Sequence, residues 1–135
     1  SDGQATYFHA MNRNKLSIAL DLADAADLEV AHALAVKADV LMQNYKPGGL
    51  ARFGLDFDTV SAANPGIVYC SISGFGSGLG AELPGYDLLV QAMGGLMSIT
   101  GTDEPTKAGV ALVDVVTWLH AGPDAGGAAP GVCRC

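Results

Sequence analysis

The sequence predicts an α/β fold in which helices cover the faces of a parallel sheet. Short strand-like runs alternate with helical patterns along residues 1–120, and Gly, Pro and Asn mark the turns between them. Of the 135 residues, 50% are apolar, which is typical of a globular domain with a hydrophobic core. The net charge of −7 argues against a general nucleic-acid-binding role.

The first half of the chain carries the strand–helix alternation. Residues 17–22 alternate apolar and polar side chains, which predicts a strand. A helix capped by Asp24 or Asp27 should follow and end near Lys37. Residues 40–42 are an apolar run too short for a helix, so they are the next predicted strand.

The rest of the chain continues the alternation of predicted helices and strands. Asp56 and Asp58 precede a short helix that should end near Ala63. Residues 67–73 are rich in β-branched and aromatic side chains and form the strongest strand candidate. Two later segments complete the pattern, a helix at about residues 86–97 and an apolar segment at residues 109–120.

The sequence lacks the features that would indicate a membrane span, export or a metal site. No apolar stretch reaches the roughly 20 residues that span a bilayer, and no export signal is recognisable. We therefore expect a cytoplasmic protein with no membrane partner. Cys70 lies in an apolar run and should be buried. Cys133 and Cys135 have no companion ligands, so neither a metal site nor a disulfide framework is predicted.

Two loops are expected to line a ligand site, because ligands collect beyond the carboxyl ends of parallel strands. The first, Asn44-Tyr45-Lys46 with Arg52, suits a nucleotide with phosphates, although on its pattern alone a plain polar turn is the favoured interpretation. The second, residues 74–80, is glycine-rich. Its following helix starts too late for a dinucleotide fingerprint, so a flexible loop over a ligand is favoured.

Asp114 is the carboxylate that needs an explanation. It lies in an apolar segment without an opposite charge nearby in sequence, and burying a lone carboxylate is costly. A helix N-cap and a functional carboxylate explain it equally well. Asp87, by contrast, is naturally explained as a first-turn residue favoured by the helix dipole.

Six stretches, taken together, carry a family resemblance. They are residues 12–21, 38–48, 64–69, 71–76, 84–92 and 109–114. Their order and spacing, from about Tyr7 to about Leu119, resemble the family III CoA-transferases, the group of formyl-CoA and carnitine-type CoA-transferases. The same superfamily contains α-methylacyl-CoA racemases.

The resemblance implies a Rossmann-like CoA-binding domain with Asp114 as the catalytic aspartate. Coenzyme A would enter as a thioester substrate, with no permanently bound cofactor. The partners would be an acyl-CoA and a carboxylic acid acceptor, joined through an aspartyl anhydride and an aspartyl-CoA thioester. The implied CoA-contacting residues are Leu20, Asp21, Leu22, Asn44, Tyr45, Lys46, Arg52, Gly85, Tyr86 and Asp87.

The resemblance also defines the alternative functions to be considered. The racemases have a catalytic His at the position of Tyr86, so Tyr favours a transferase over a racemase. Family members form interlocked homodimers. The family's first strand and its second domain have no counterpart here, so we expect a CoA-binding domain incomplete at both ends. A non-catalytic fragment is the remaining alternative.

The last fifteen residues do not fit this pattern. Residues 121–135 are mostly Ala, Gly and Pro. The helical pattern should stop at Gly122-Pro123, with no strand after it. We therefore divide the chain into a partial CoA-transferase domain, residues 1–120, and an aberrant tail, residues 121–135, which we interpret as an out-of-frame or truncated end.

Overall fold

A three-stranded parallel sheet organises the chain. The computed structural model describes residue 3, residues 5–127 and residues 131–134, with side chains left out for Tyr7 and from residue 122 onward. The strands are β1 (Val40–Gln43), β2 (Val68–Ser71) and β3 (Gly131–Arg134), in the order β1-β2-β3. Val68 lies opposite Val40 on one side and Gly131 on the other. The predicted α/β class with a parallel sheet is confirmed.

Five α-helices surround the described strands. Single 3-10 turns at Ala51–Phe53 and Leu96–Ile99 add to them. The helices are α1 (Thr6–Met11), α2 (Ala25–Lys37), α3 (Phe57–Ala63), α4 (Asp87–Met93) and α5 (Leu112–Gly127).

Aspartate caps start two of these helices. Asp24 caps α2, because its Oδ1 accepts hydrogen bonds from the backbone N–H groups of Ala26 at 2.9 Å and Asp27 at 3.1 Å. Asp56 caps α3 and also accepts from the Thr59 hydroxyl at 2.8 Å. That side-chain hydrogen bond is the main reason why the pKa of Asp56 lies below its ordinary value.

The core lies on both faces of β2. Tyr69 faces a cluster formed with α2 and α3 that includes Ala35 and Val60. Val68 and Cys70 face the other way and pack with Ala121 of α5, and Cys70 is fully buried as predicted. Because successive side chains of a strand point to opposite faces, one four-residue strand joins both helical layers.

The predicted strand at residues 17–22 is wrong. The segment runs from the end of α1 to the turn before α2 without joining the sheet. Leu16 and Ile18 are exposed there, with Leu16 at 103% of its reference area. Alternation makes a strand only when a neighbouring strand supplies its hydrogen bonds, and none of the described strands does so here.

The helix predicted at residues 86–97 is shorter than expected. It ends at Met93, and Gly95 has a φ of +80°, a left-handed conformation that favours glycine. A separate 3-10 turn follows from Leu96. The glycine pair therefore ends the helix.

The predicted stop at Gly122-Pro123 is also wrong. Helix α5 continues to Gly127, and β3 follows and pairs with β2. Proline removes one helical hydrogen bond, but Ala121 is fully buried against β2, so packing holds the helix through this point. The division at residue 120 and the origin of the tail stay predictions.

Removing the α2 cap tests this account of the fold. Asp24→Ala should lower the free energy of unfolding by about 1 kcal/mol, because the amides of Ala26 and Asp27 lose their acceptor. Asp24→Asn is the matched control, since it makes the same change in charge but keeps a capping oxygen. Urea denaturation of both variants measures the difference, and equal stabilities would contradict the cap.

Candidate active site

A cavity of about 620 Å³ opens at the carboxyl ends of β1 and β2. Its walls come from the loop after β1, the glycine-rich loop after β2, the start of α4 and the first turns of α5. Both loops expected to line a ligand site therefore border the same space. The lining residues include Asn44, Tyr45, Lys46, Pro47, Ser73, Gly74, Phe75, Gly76, Gly85, Tyr86, Asp87, Val113, Asp114, Thr117 and Trp118.

Helix α5 presents one face to this cavity. Asp114, Thr117 and Trp118 are spaced three and four residues apart, which places them on the same side of a helix. The helix begins at Leu112, so Asp114 lies inside its first turn and is not the N-cap. Asp114 is also exposed in this chain, contrary to the burial that its apolar neighbours suggested.

The first turn of α5 is held by the carboxylate of Asp87. The backbone N–H of Val113 donates to Asp87 Oδ1 at 2.8 Å, and that of Asp114 donates to the same oxygen at 3.4 Å. Asp87 is the first residue of α4. One side chain therefore joins the starts of two helices and satisfies amides that lack a partner within α5.

Gln91 supports Asp87 from one turn further along α4. It is 1% exposed, and its Nε2 donates to Asp87 Oδ2 at 2.6 Å. Its Oε1 accepts from the backbone N–H of Ala108 at 2.9 Å, and Nε2 also reaches the carbonyl of Val110 at 3.4 Å. Together these bonds fix the segment that leads into α5.

The carboxyl group of Asp114 has a raised pKa. Although its side chain is accessible to water, atoms of the cavity wall remove part of its hydration, and this desolvation is the larger cause. The nearby charge of Asp87 is the second cause, since it disfavours another negative charge. The environment thus makes the ionised form of Asp114 less favourable than in a free aspartate.

The loop after β1 brings the predicted amide, aromatic ring and cation to the cavity. The backbone N–H of Tyr45 donates to Gln43 Oε1 at 2.7 Å, and Gln43 Nε2 donates to Ser71 Oγ at 2.7 Å. This chain of bonds ties the loop to the ends of both strands. Tyr45 remains 49% exposed, which leaves its ring available to a ligand.

The opposite wall depends on two glycines that touch. A Cβ added to Gly85 would lie 2.8 Å from Gly74 N and 2.9 Å from Gly74 Cα, which is too close for any side chain. A Cβ added to Gly74 would overlap Gly85 Cα. This contact holds the glycine-rich loop against the start of α4, next to Tyr86, which is 75% exposed.

Four predicted site residues lie away from the lining of this cavity. Asp21 forms a local turn, its Oδ1 accepting from the N–H of Ala23 at 2.9 Å. Leu22 packs on the core beside α2, and Leu20 is half-buried next to it. Arg52 is exposed, with its guanidinium carbon 4.4 Å from the centroid of the Phe53 ring.

Among the site residues that were not predicted from the sequence are Gln91, Thr117 and Trp118. Gln91 follows Asp87 by four residues, and Thr117 and Trp118 follow Asp114 by three and four. Because residues three and four positions apart share a helix face, the spacing from Asp87 and Asp114 would have identified them.

The described residues contain no group of three or more His, Cys, Asp or Glu side chains suited to hold a metal ion. Within the same part of the chain, no helix is long and apolar enough to cross a membrane.

Comparison with known proteins identifies the family of this chain. The family model for CoA-transferase family III matches residues 1–125. The chain therefore belongs to CoA-transferase family III, and the resemblance found in its sequence is confirmed.

Individual relatives agree with the family model. The chain is 44% identical over 126 residues to a succinate–glutarate CoA-transferase of Agrobacterium fabrum, covering 89% of this chain and 32% of the relative. It is 38% identical over 122 residues to a formyl-CoA:oxalate CoA-transferase of Streptomyces avermitilis, covering 89% and 30%. A crystal structure of a CAIB/BAIF family protein from Brucella suis superposes with a TM-score of 0.82 at 47% identity, covering 87% and 32%. The chain thus spans about a third of the length of these relatives.

Substituting the contacting glycine tests the cavity wall. Gly74→Ala should lower the free energy of unfolding by about 1–3 kcal/mol, because the new methyl group overlaps the backbone of Gly85. Gly78→Ala, in the same loop, is the control, since a Cβ there meets no atom within 4 Å. Chemical denaturation compares the two, and equal effects would contradict the close approach.

Proposed function

We propose that the protein carrying this chain transfers coenzyme A from an acyl-CoA thioester to a carboxylic acid, with Asp114 as nucleophile. Membership of CoA-transferase family III supports the reaction class. The observation that carries the residue assignment is the position of Asp114 on the wall of the 620 Å³ cavity, between a cation-bearing loop and a glycine-rich loop.

The chemistry requires an ionised carboxylate at the thioester carbonyl. An oxygen of Asp114 attacks the acyl carbon, the carbon–sulfur bond breaks, and CoA leaves as a thiolate with a mixed anhydride left behind. The thiolate then attacks the aspartyl carbonyl, which releases the donor acid and forms an aspartyl-CoA thioester. The acceptor carboxylate repeats both steps in reverse, which yields the new acyl-CoA and restores Asp114.

The cavity lining offers groups for each part of this reaction. Lys46 supplies a positive charge for CoA phosphates, and the exposed ring of Tyr45 offers a stacking surface for adenine. The backbone N–H groups of Gly74 and Phe75 are suitable donors to a tetrahedral oxyanion, whereas that of Gly76 already donates to Ser73 Oγ at 3.1 Å. Leu20, Asp21, Leu22 and Arg52 stay predicted CoA contacts on the strength of the resemblance alone.

The acids exchanged are proposed from the relatives. The names of the succinate–glutarate and formyl-CoA:oxalate enzymes specify dicarboxylic acids as their substrates. We therefore propose a dicarboxylic acid acceptor, and succinyl-CoA with glutarate is the first pair to assay. Epimerisation of an α-methylacyl-CoA without acyl exchange would favour the racemase alternative, against which Tyr86 argues.

Assembly as a homodimer is part of the proposal. The family resemblance supports this assembly, and Leu79, Ile99 and Leu119, which are 110%, 82% and 66% exposed, leave apolar surface for a partner to cover. Light scattering of the purified full-length protein should give twice the mass of one chain, and a monomer would contradict this assembly.

Trapping of the activated aspartate tests the nucleophile. With succinyl-CoA and hydroxylamine present, Asp114 should become a hydroxamate, because both the anhydride and the aspartyl thioester are acylating agents. Mass spectrometry of the peptide that contains Asp114 detects the change. The full-length protein is the appropriate material, since the chain spans about a third of its relatives.

The matching substitution is Asp114→Ala, which should reduce turnover by about 10⁴-fold or more. Asp103→Ala is the control, because Asp103 is exposed in a turn away from the cavity lining and should leave turnover unchanged. Normal turnover of the Asp114 variant, or a hydroxamate on another residue, would contradict the assignment.

The pH dependence follows from the raised pKa of Asp114. The attacking group must be ionised, so kcat/KM should fall as the pH drops through this pKa, at a higher pH than for an aspartate of ordinary pKa 3.8. The other titratable groups lining the cavity are Tyr45, Lys46, Tyr86 and Asp87. A pH–rate profile measures the acid limb, and a limb at or below the ordinary value would contradict the prediction.

A further inference from the structure

We propose that Asp87 is a positioning residue for Asp114, acting with Gln91 to fix the first turn of α5 in the cavity. This inference rests on the proposed function of Asp114 as the nucleophile. It replaces the expected role of the Asp87 side chain as a contact of CoA, which came from the family resemblance.

The hydrogen bonds of Asp87 leave little capacity for a ligand. Its Oδ1 accepts from the backbone N–H groups of Val113 at 2.8 Å and Asp114 at 3.4 Å. Its Oδ2 accepts from Gln91 Nε2 at 2.6 Å. Both oxygens are thus engaged within the protein, and the bond to Asp114 is made to the backbone of the proposed nucleophile itself.

The buried side chain of Gln91 holds the carboxylate of Asp87 in place. Gln91 is 1% exposed and binds Asp87, the N–H of Ala108 and the carbonyl of Val110. These bonds cross from α4 to the segment that enters α5. A buried amide with partners at both its oxygen and its nitrogen fixes the rotamer of the carboxylate that it contacts.

The charge of Asp87 has a second effect on the same residue. An acidic acceptor at a helix N-terminus stabilises that helix, while its negative charge opposes ionisation of another carboxylate in the same first turn. Asp87 therefore holds Asp114 in place and at the same time keeps it more basic than an isolated aspartate. Higher basicity favours nucleophilic attack once the group is ionised.

Three variants of the full-length protein separate this role from CoA binding. Asp87→Ala removes the acceptor and should lower kcat by about a hundredfold, the cost expected of a small misplacement of a reacting group. The KM for the acyl-CoA should stay within about twofold. Asp87→Asn keeps an oxygen for the N–H of Val113, so it should retain more of kcat than the Ala variant.

The double variant D87N/Q91E is the rescue. In Asp87→Asn the new amide nitrogen faces Gln91 Nε2, which places two donors together. Gln91→Glu restores an acceptor there and keeps one for Ala108, and it gives up only the long 3.4 Å contact with the Val110 carbonyl. Recovery of kcat above the single Asn variant is expected. Thermal denaturation of every variant confirms that the proteins compared are folded, and the two Asn-containing proteins carry the test if the Ala variant does not fold.

The pH profile adds a readout that a merely structural residue would not move. Asp87→Asn removes a negative charge beside Asp114, so the acid limb of kcat/KM should shift to lower pH. A raised KM with unchanged kcat in Asp87→Ala, or an unmoved acid limb in Asp87→Asn, would overturn the inference. Hydroxylamine trapping in the unmodified protein distinguishes this failure from that of the proposed function, because a trapped Asp114 with a dispensable Asp87 rejects only the positioning role.

Discussion

The carboxylate of Asp87 connects the two helices on which the candidate site depends. Helix α4 starts at Asp87 and helix α5 starts at Leu112, and Asp87 binds the amides of Val113 and Asp114, which lie 26 and 27 positions further along the chain. Without an acceptor at this point, the first amides of α5 would lack partners, and the helix start would have no fixed position relative to the loops. The buried amide of Gln91 orients that acceptor. The geometry of Asp114 is therefore a consequence of a polar contact made outside its own helix.

The parallel sheet supplies the other half of the site. Because β1 and β2 run in the same direction, the loops that follow them emerge at one edge, where Tyr45 and Lys46 meet the glycine-rich loop. The contact between Gly74 and Gly85 then brings the start of α4 against that loop. Burial of Cys70 and Ala121 between β2 and α5 sets the helix carrying Asp114 over the same edge. The packing of α5 on β2 and the contact between Gly74 and Gly85 thus shape the same cavity.

Features that depend on neighbouring residues, such as helix caps, could be predicted from the sequence. Contacts between segments far apart in the chain could not. The caps at Asp24 and Asp56 act within three residues, so the sequence pattern located both helix starts, although it left Asp24 and Asp27 as alternatives for the first cap. Residues 17–22 alternate as a strand would, but a strand also needs a neighbour that a sequence pattern cannot supply. Helix α5 passes Pro123 because distant burial of Ala121 outweighs local propensity. For Asp87, first-turn placement was foreseeable, whereas its bond to the amide of Val113 depends on how two helices pack. The candidate nucleophile itself was found through family resemblance, since chemistry alone left Asp114 undecided.

Oxygen exchange into Asp114 is the most direct test of the central claim. If the acceptor acid carries ¹⁸O in both carboxylate oxygens, its attack on the aspartyl thioester and the return of the thiolate leave one labelled oxygen on the aspartate. Mass spectrometry of the peptide containing Asp114, after turnover of the full-length protein, should therefore show ¹⁸O in that side chain and one ¹⁸O retained in the thioester carbonyl of the new acyl-CoA. Turnover that leaves Asp114 unlabelled would show that its carboxylate takes no covalent part, and would contradict the account.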